Sequence, residues 1–148
     1  VGGRAEGRVR VVRGEGIIRD VLARSFGLPR SADSVLVHLE VTREGDRERW
    51  VRNFGGRELA SVQWEEDGLL IEQISSTRFA FRLVPCSRGL TYELQRSSLG
   101  PVPFPRFLAP RVSTTTIGSE DGWHLAMRTE VPIFGRLLEY HGDIRCLW

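Results

Sequence analysis

After Pro29 the chain alternates apolar and polar residues with a period of two, the spacing of strands that bury one face. Val35, Val37, Leu39 and Val41 share one side, Leu36, His38 and Glu40 the other, and Glu44-Gly45-Asp46 supplies a hairpin turn. Further strands are expected over Trp50–Phe54, Leu59–Glu65, Leu69–Ile74, Arg78–Val84 and Leu90–Arg96. Gly55-Gly56, Glu66-Asp67-Gly68, Ser75-Ser76-Thr77 and Ser87-Arg88-Gly89 separate them as turns. Pro101, Pro103, Pro105 and Pro110 then forbid a central strand, and the stretch reads as a long loop or lid. Val112–Ile117, Trp123–Thr129 and Leu137–Cys146 complete the series, and Val9–Arg13 alternates weakly and could open it.

One segment breaks the period. Ile17, Ile18, Val21, Leu22, Ser25 and Phe26 follow helical spacing, with Arg19, Asp20 and Arg24 on the opposite side. Gly27 is a natural helix stop and Pro29 prevents resumption. The pattern therefore predicts a mainly β protein, residues 1–148 as one domain. Its expected form is an antiparallel β-barrel of about eight or nine strands, lipocalin-like or calycin-like, with one early helix packing on it or capping it. A closed barrel is preferred to an open sheet because one helix cannot cover so wide a sheet. No internal repeat or low-complexity tract is present.

Composition narrows the functional classes. With 148 residues the chain can build a core without staples. No apolar run approaches the roughly 20 residues of a membrane span, and no signal-peptide pattern opens the sequence. Its first residue is Val, which leaves room for a removed upstream segment. Cys86 and Cys146 read as reduced thiols of a cytoplasmic protein, a single bridge being the alternative. All 21 basic residues are arginines, so Schiff-base catalysis by a lysine of this chain is excluded. The net charge of +2 is small and the arginines are interleaved with acids. The nearest thing to a basic stripe, Arg4-Arg8-Arg10-Arg13, reads as a solvated strand edge, so neither nucleic acid nor membrane is expected as a partner.

The usual catalytic signatures are mostly missing. Gly14-Glu15-Gly16 is a two-glycine fragment without the rest of a phosphate-binding loop and reads as a turn. His38, His124 and His141 lack paired ligand spacing, so no metal is expected. No Gly-x-Ser-x-Gly elbow exists, and neither cysteine lies in a nucleophile motif. No cofactor is expected.

What remains is polar groups on apolar faces. Strand alternation places Trp50, Arg52 and Phe54 on one side, a guanidinium between two large aromatics. If that face is internal, Arg52 needs a partner, because an unpaired buried charge is prohibitive. Glu72 shares a face with Leu70 and Ile74, Tyr140 with Leu138 and Ile144, and Tyr92 with Leu90 and Leu94, while His141 points away from Tyr140. In a barrel these groups could converge, Arg52 pairing with Glu72 and Tyr140 donating into a cavity. A structural ion pair in a packed core explains the same residues. The aromatics Trp50, Phe54, Trp64, Phe79, Phe81, Tyr92, Phe104 and Trp123 are the candidate ligand-contact wall, each equally readable as core. A barrel this wide can leave a cavity suited to an apolar small molecule.

Several landmarks occur in order: Gly27-Leu28-Pro29, Trp50-x-Arg52-x-Phe54-Gly55-Gly56, Ser61 and Glu72, followed by Pro103-x-Pro105, Leu108-x-Pro110, Pro132-x-x-Gly135 and Tyr140-x-Gly142. Together they resemble an uncharacterised bacterial domain family of unknown function, over nearly the whole chain. That domain is often fused behind saccharopine-dehydrogenase-like or short-chain Rossmann reductases and epimerases. The resemblance implies a domain and a neighbourhood, without a reaction.

Three functions are compatible with these residues. The first is a cofactor-independent cyclase or isomerase that folds an apolar, polyketide-like intermediate in its cavity. There Arg52 or Tyr140 would polarise a carbonyl, Glu72 would orient its partner, and the proline-rich loop would exclude water. The second is a non-catalytic carrier or sensor of an apolar metabolite, and the third an accessory interaction domain for a reductase or synthase. Oligomeric state and substrate identity are not legible in the sequence.

Overall fold

The computed structural model describes residues 2–25, 27–105 and 107–147. Short turns join most strands to their sequence neighbours, and the sheet grows in an up-and-down order. β1 (Gly3–Arg13) is followed by α1 (Ile17–Ser25), then β2 (Ala32–Glu44), β3 (Arg47–Phe54), β4 (Arg57–Glu66), β5 (Leu69–Ile74) and β6 (Thr77–Cys86). The remaining strands are β7 (Gly89–Leu99), β8 (Val102–Pro103), β9 (Arg111–Gly118), β10 (Gly122–Val131) and β11 (Gly135–Leu147). Every pairing is antiparallel, β11 closes on β1 and β7 joins β9, giving a closed barrel of ten strands with β8 as an extra piece on β7.

Ten strands replace the eight or nine expected, because the weak segment at Val9 is the second half of a full strand. In β1, Ala5, Val9 and Val11 are buried while Arg4, Arg8 and Arg10 are exposed. Gly7 stands on the apolar side and hides the alternation in the sequence. β1 is also not an edge: it pairs with β2 on one side and β11 on the other. Arg4, Arg8 and Arg10 are solvated because they face outward from a closed sheet, whereas Arg13 is only 19% exposed and pairs with Asp20.

Gly142 shows how tightly this seam is wound. A Cβ there would lie 2.1 Å from the Arg8 carbonyl oxygen and 2.9 Å from Val9 Cγ1. Only a residue without a side chain lets β1 and β11 approach so closely next to Tyr140. Gly142→Ala is expected to destabilise the fold by about 1–3 kcal/mol, as overpacking does. Urea unfolding checks this, and an unchanged midpoint would mean the seam is looser than described.

One end of the barrel carries α1, the β3–β4, β5–β6 and β10–β11 turns, and the proline-rich loop. α1 begins with the Asp20 amide donating to the Gly16 carbonyl at 2.9 Å, and ends where Gly27 takes φ +66° and the Leu28 amide donates back to Ala23. An ion pair of 2.9 Å between Arg13 and Asp20 fastens the helix to β1. The expected apolar stripe only partly docks. Ala23 is fully buried and Leu22 and Ile18 reach the barrel interior, whereas Ile17 remains 85% exposed and Val21 57%. Phe26, expected as the last member of the stripe, lies outside the described residues. The helix plugs the barrel mouth edge-on, so only part of its surface meets the interior. The Pro101–Pro110 segment forms the expected loop, with β8 as a two-residue hook onto β7 and the Phe104 amide donating to the Ser97 carbonyl.

Candidate functional site

Alternation along each strand decides which side chains enter the barrel. In β3, Trp50, Arg52 and Phe54 all face the lumen, as do Glu72 and Ile74 of β5, Phe79 and Phe81 of β6, and Tyr140 of β11. Leu138 and Ile144 lie buried on the same face as Tyr140, while His141 is exposed on the other.

The lumen is divided into two chambers. The first, about 440 Å³, reaches the end opposite α1, where Arg88, Gly89 and Gly118 stand at its rim. Trp50, Phe54, Tyr92, Leu125, Thr114 and Trp123 form much of its wall. The second, about 320 Å³, lies beneath α1 and the proline-rich loop, walled by Leu22, Leu59, Ile74, Phe79, Phe104 and Leu108 among others. Arg52, Glu72, Phe81, Val112, Met127 and Tyr140 border both, forming a belt between them. A ten-stranded barrel is wide enough to leave this space, which an eight-stranded one can fill with side chains.

The polar part of the belt is a compact network. Arg52 Nη2 lies 3.0 Å from Glu72 Oε1, and Arg52 Nη1 donates to Ser61 Oγ at 2.8 Å. Ser61 Oγ donates in turn to Glu72 Oε1 at 2.7 Å, and Gln63 Nε2 donates to the same oxygen at 3.1 Å. Both charged side chains are 16% exposed and border both chambers. Arg52 also sits 5.4 Å from the Trp50 ring centroid, a cation–π distance. Burial would raise the Glu72 carboxyl pKa. The Arg52 charge and the bonds from Ser61, Gln63 and Arg52 outweigh it and hold the carboxyl below its ordinary value.

The two tyrosines behave differently. Burial raises the Tyr140 hydroxyl; the Arg52 charge opposes the rise, and Glu72 and Tyr92 add to it. Burial also raises Tyr92, with Glu72 adding and Arg52 opposing. Both phenols therefore stay protonated at neutral pH. Among the described residues neither hydroxyl has a hydrogen-bond partner in the protein, and both border the lumen. Phe54 meets Tyr140 edge-on at 5.7 Å and Phe81 meets Tyr92 at 6.1 Å, which fixes both rings.

Of the expected wall, Trp50, Phe54, Phe79, Phe81, Tyr92, Phe104 and Trp123 line one chamber or both. Trp64 does not. It stands on the outer face, packed with Ile71 and Ala80, with the Arg47 and Arg78 guanidiniums 4.6 and 5.1 Å from its ring. Its indole donates to Glu66 at 3.1 Å. Outward aromatics covered by arginine stems look, in sequence, just like inward ones. Ser61 and Gln63 complete the network; in the sequence Ser61 stands out only as a family landmark, and nothing singles out Gln63. Gln63 lies directly across from Glu72 and Ser61 across from Trp50, a relation that becomes visible only once the register is known.

Of the other titratable groups described, Arg88 stands at the lumen rim and the histidine–carboxylate pairs lie outside. His124 Nδ1 lies 2.9 Å from Asp143 Oδ1 on the outer surface, and His38 lies 3.7 Å from Glu6. Among the described residues no group of three His, Cys, Asp or Glu side chains could hold a metal ion. Cys86 and Cys146 are both free thiols. Among the described residues no helix is long and apolar enough to cross a membrane.

Residues 2–144 match the model of a family described as a domain of unknown function, DUF4166. The chain belongs to that family. No curated protein and no solved structure matches it.

Proposed function

We propose that the barrel binds a long, largely apolar, polyketide-like molecule in its lumen and promotes a cofactor-independent cyclisation, such as a cycloaddition, or an isomerisation. The observation that carries this reading is a pair of protonated phenols, Tyr140 in the belt and Tyr92 beside it, that border the lumen without a hydrogen-bond partner among the described residues. Buried polar groups normally find partners, so hydroxyls left open to a cavity favour a ligand that supplies them. Tyr140 donates to a substrate carbonyl, Arg52 adds positive potential beside it, and Glu72 holds Arg52 in place. Trp50, Phe54, Phe79, Phe81, Tyr92, Phe104 and Trp123 are the mould that folds the chain. Holding reactive ends together can remove about 7–11 kcal/mol of barrier at the ideal limit.

A cycloaddition within one chain balances without any other reactant. A diene and an alkene exchange three π bonds for two σ bonds and one π bond, and no proton or electron leaves the substrate. A hydrogen bond to a conjugated carbonyl draws electron density from the alkene and lowers the barrier, so neither a nucleophile nor a general base is required. An isomerisation likewise conserves every atom. A second reading, an interaction module, draws on Ile17, Phe107 and Ile133, which stand 85%, 60% and 79% exposed at the helix end.

The test is extraction of protein purified from its own host, with native mass measured before and after denaturation. A bound apolar molecule is expected, and the purified barrel should convert its open-chain precursor into a product of identical mass. Ligand released unchanged after incubation would replace the enzyme with a carrier. A lumen empty of ligand, together with a protein partner captured at Ile17 and Phe107, would favour the interaction module.

A further inference from the structure

We infer that the lumen selects a neutral amphiphile, a hydrocarbon segment carrying an uncharged carbonyl or hydroxyl, and discriminates against free carboxylic acids. The inference deepens the lumen-binding reading above and rests on it.

The two chambers differ in chemistry. Beneath α1 the wall is mostly hydrocarbon, and among the described residues only Thr129 adds a polar side chain to it apart from the belt. The other chamber adds Gln63, Tyr92, Thr114 and Thr116 to its aromatics. A ligand that fills both therefore places an apolar segment under the helix and its oxygen functions at the belt or above it.

An arginine inside an apolar barrel would by itself suggest a carboxylate ligand, because a bidentate guanidinium matches that group well. Here the charge is already balanced by Glu72 at 3.0 Å, although three of the five guanidinium N–H groups donate to no described residue. Both terminal nitrogens of Arg52 are engaged, one with Ser61 and the other with Glu72. The pair is neutral overall, so a ligand carboxylate would bring one uncompensated negative charge into a site removed from water. Glu72 adds to the discrimination. Its Oε1 accepts from Arg52, Ser61 and Gln63, whereas Oε2 accepts from no described residue and is not sealed off. A ligand therefore meets a free acceptor on Glu72 and free donors on Tyr140, Tyr92 and the remaining N–H groups of Arg52. A hydroxyl satisfies the first and a carbonyl the second, while a carboxylate faces the Glu72 charge. Among the described residues Arg88 is the other cation bordering the lumen, but it is exposed at the rim and remote from the hydrocarbon chamber.

The experiment is displacement of Nile red, a neutral apolar reporter, by methyl dodecanoate, 2-tridecanone, 1-dodecanol and sodium dodecanoate at pH 8. The ester, ketone and alcohol are expected to bind at least about tenfold more tightly than the carboxylate, equivalent to about 1.4 kcal/mol. In Glu72→Gln the gap should narrow from the carboxylate side, since Arg52 then lacks its counter-charge. If that variant does not fold, the wild-type ranking alone decides. Dodecanoate binding as tightly as the ester would overturn the charge argument while leaving lumen binding intact. No binding of Nile red or any of the four probes would instead remove the lumen-binding reading, and this inference with it.

Discussion

Glu72→Gln is expected to cost about 3 kcal/mol of folding stability at pH 7, because it strands the Arg52 charge inside the barrel. For a chain of this length that corresponds to a fall in Tm of about 10 °C. Arg52→Met should be similarly harmful by stranding the carboxylate, although Glu72 can then escape part of the penalty by taking up a proton. The double variant Arg52→Met with Glu72→Leu is expected to recover most of the loss, since it leaves neither charge behind and replaces both with apolar volume. That non-additivity distinguishes a coupled buried pair from two independent surface residues. Equal and additive losses would mean the two side chains do not depend on each other.

The same pair sets an acid limit. The folded state holds the Glu72 pKa below its ordinary value, so its unfolded chain binds a proton more readily than the native one. The stabilisation is fully present above the unfolded carboxylate range, about pH 4.3, and is lost as pH falls through the depressed folded value. Wild type should therefore lose Tm in that acid window faster than Glu72→Gln, and the two curves should converge. Parallel curves down to the end of the acid range would show that other carboxylates, not Glu72, govern acid unfolding.

How much of this was legible in the sequence depended on what each residue's own strand could reveal. Trp50-Arg52-Phe54 declared its shared face by alternation, and the requirement that a buried arginine find a partner pointed to Glu72 before any contact was known. Short turn signals such as Glu66-Asp67-Gly68 placed the hairpins well. Register was not legible, because it emerges from pairings between distant segments: Gln63 meets Glu72 across β4 and β5, and Ser61 meets Trp50 across β3 and β4. Trp64 was misplaced for a related reason. A closed barrel has two faces along every strand, and Val62-x-Trp64 alternates as convincingly outward as Leu59-x-Ser61 does inward. Strand number failed where a glycine interrupted the apolar face of β1, and the helix docked less than its spacing implied because it covers a mouth rather than a sheet.

Tyr140→Phe is the substitution expected to affect function most while affecting the fold least. Its hydroxyl has no protein partner among the described residues, so removing it leaves no orphaned group, and stability should stay within about 0.5 kcal/mol of wild type. The ring remains, keeping its edge contact with Phe54 at 5.7 Å. What disappears is the donor that the proposed reaction sets against a substrate carbonyl. Donors placed where charge develops in a transition state contribute about 10²–10³ in kcat when removed singly. A fall of about 10² in turnover is therefore expected, with KM little changed, because the apolar mould still holds the substrate. Tyr92→Phe should do less, since Tyr92 borders only the chamber beyond the belt. Burial keeps the Tyr140 phenol protonated above its ordinary range, so wild-type turnover should be flat from pH 7 to 9 and decline only at higher pH. A general base at the belt would instead give a rising limb across that interval. Full turnover by Tyr140→Phe would strip the belt of its catalytic role and leave shape alone, or simple carriage, as what the barrel provides.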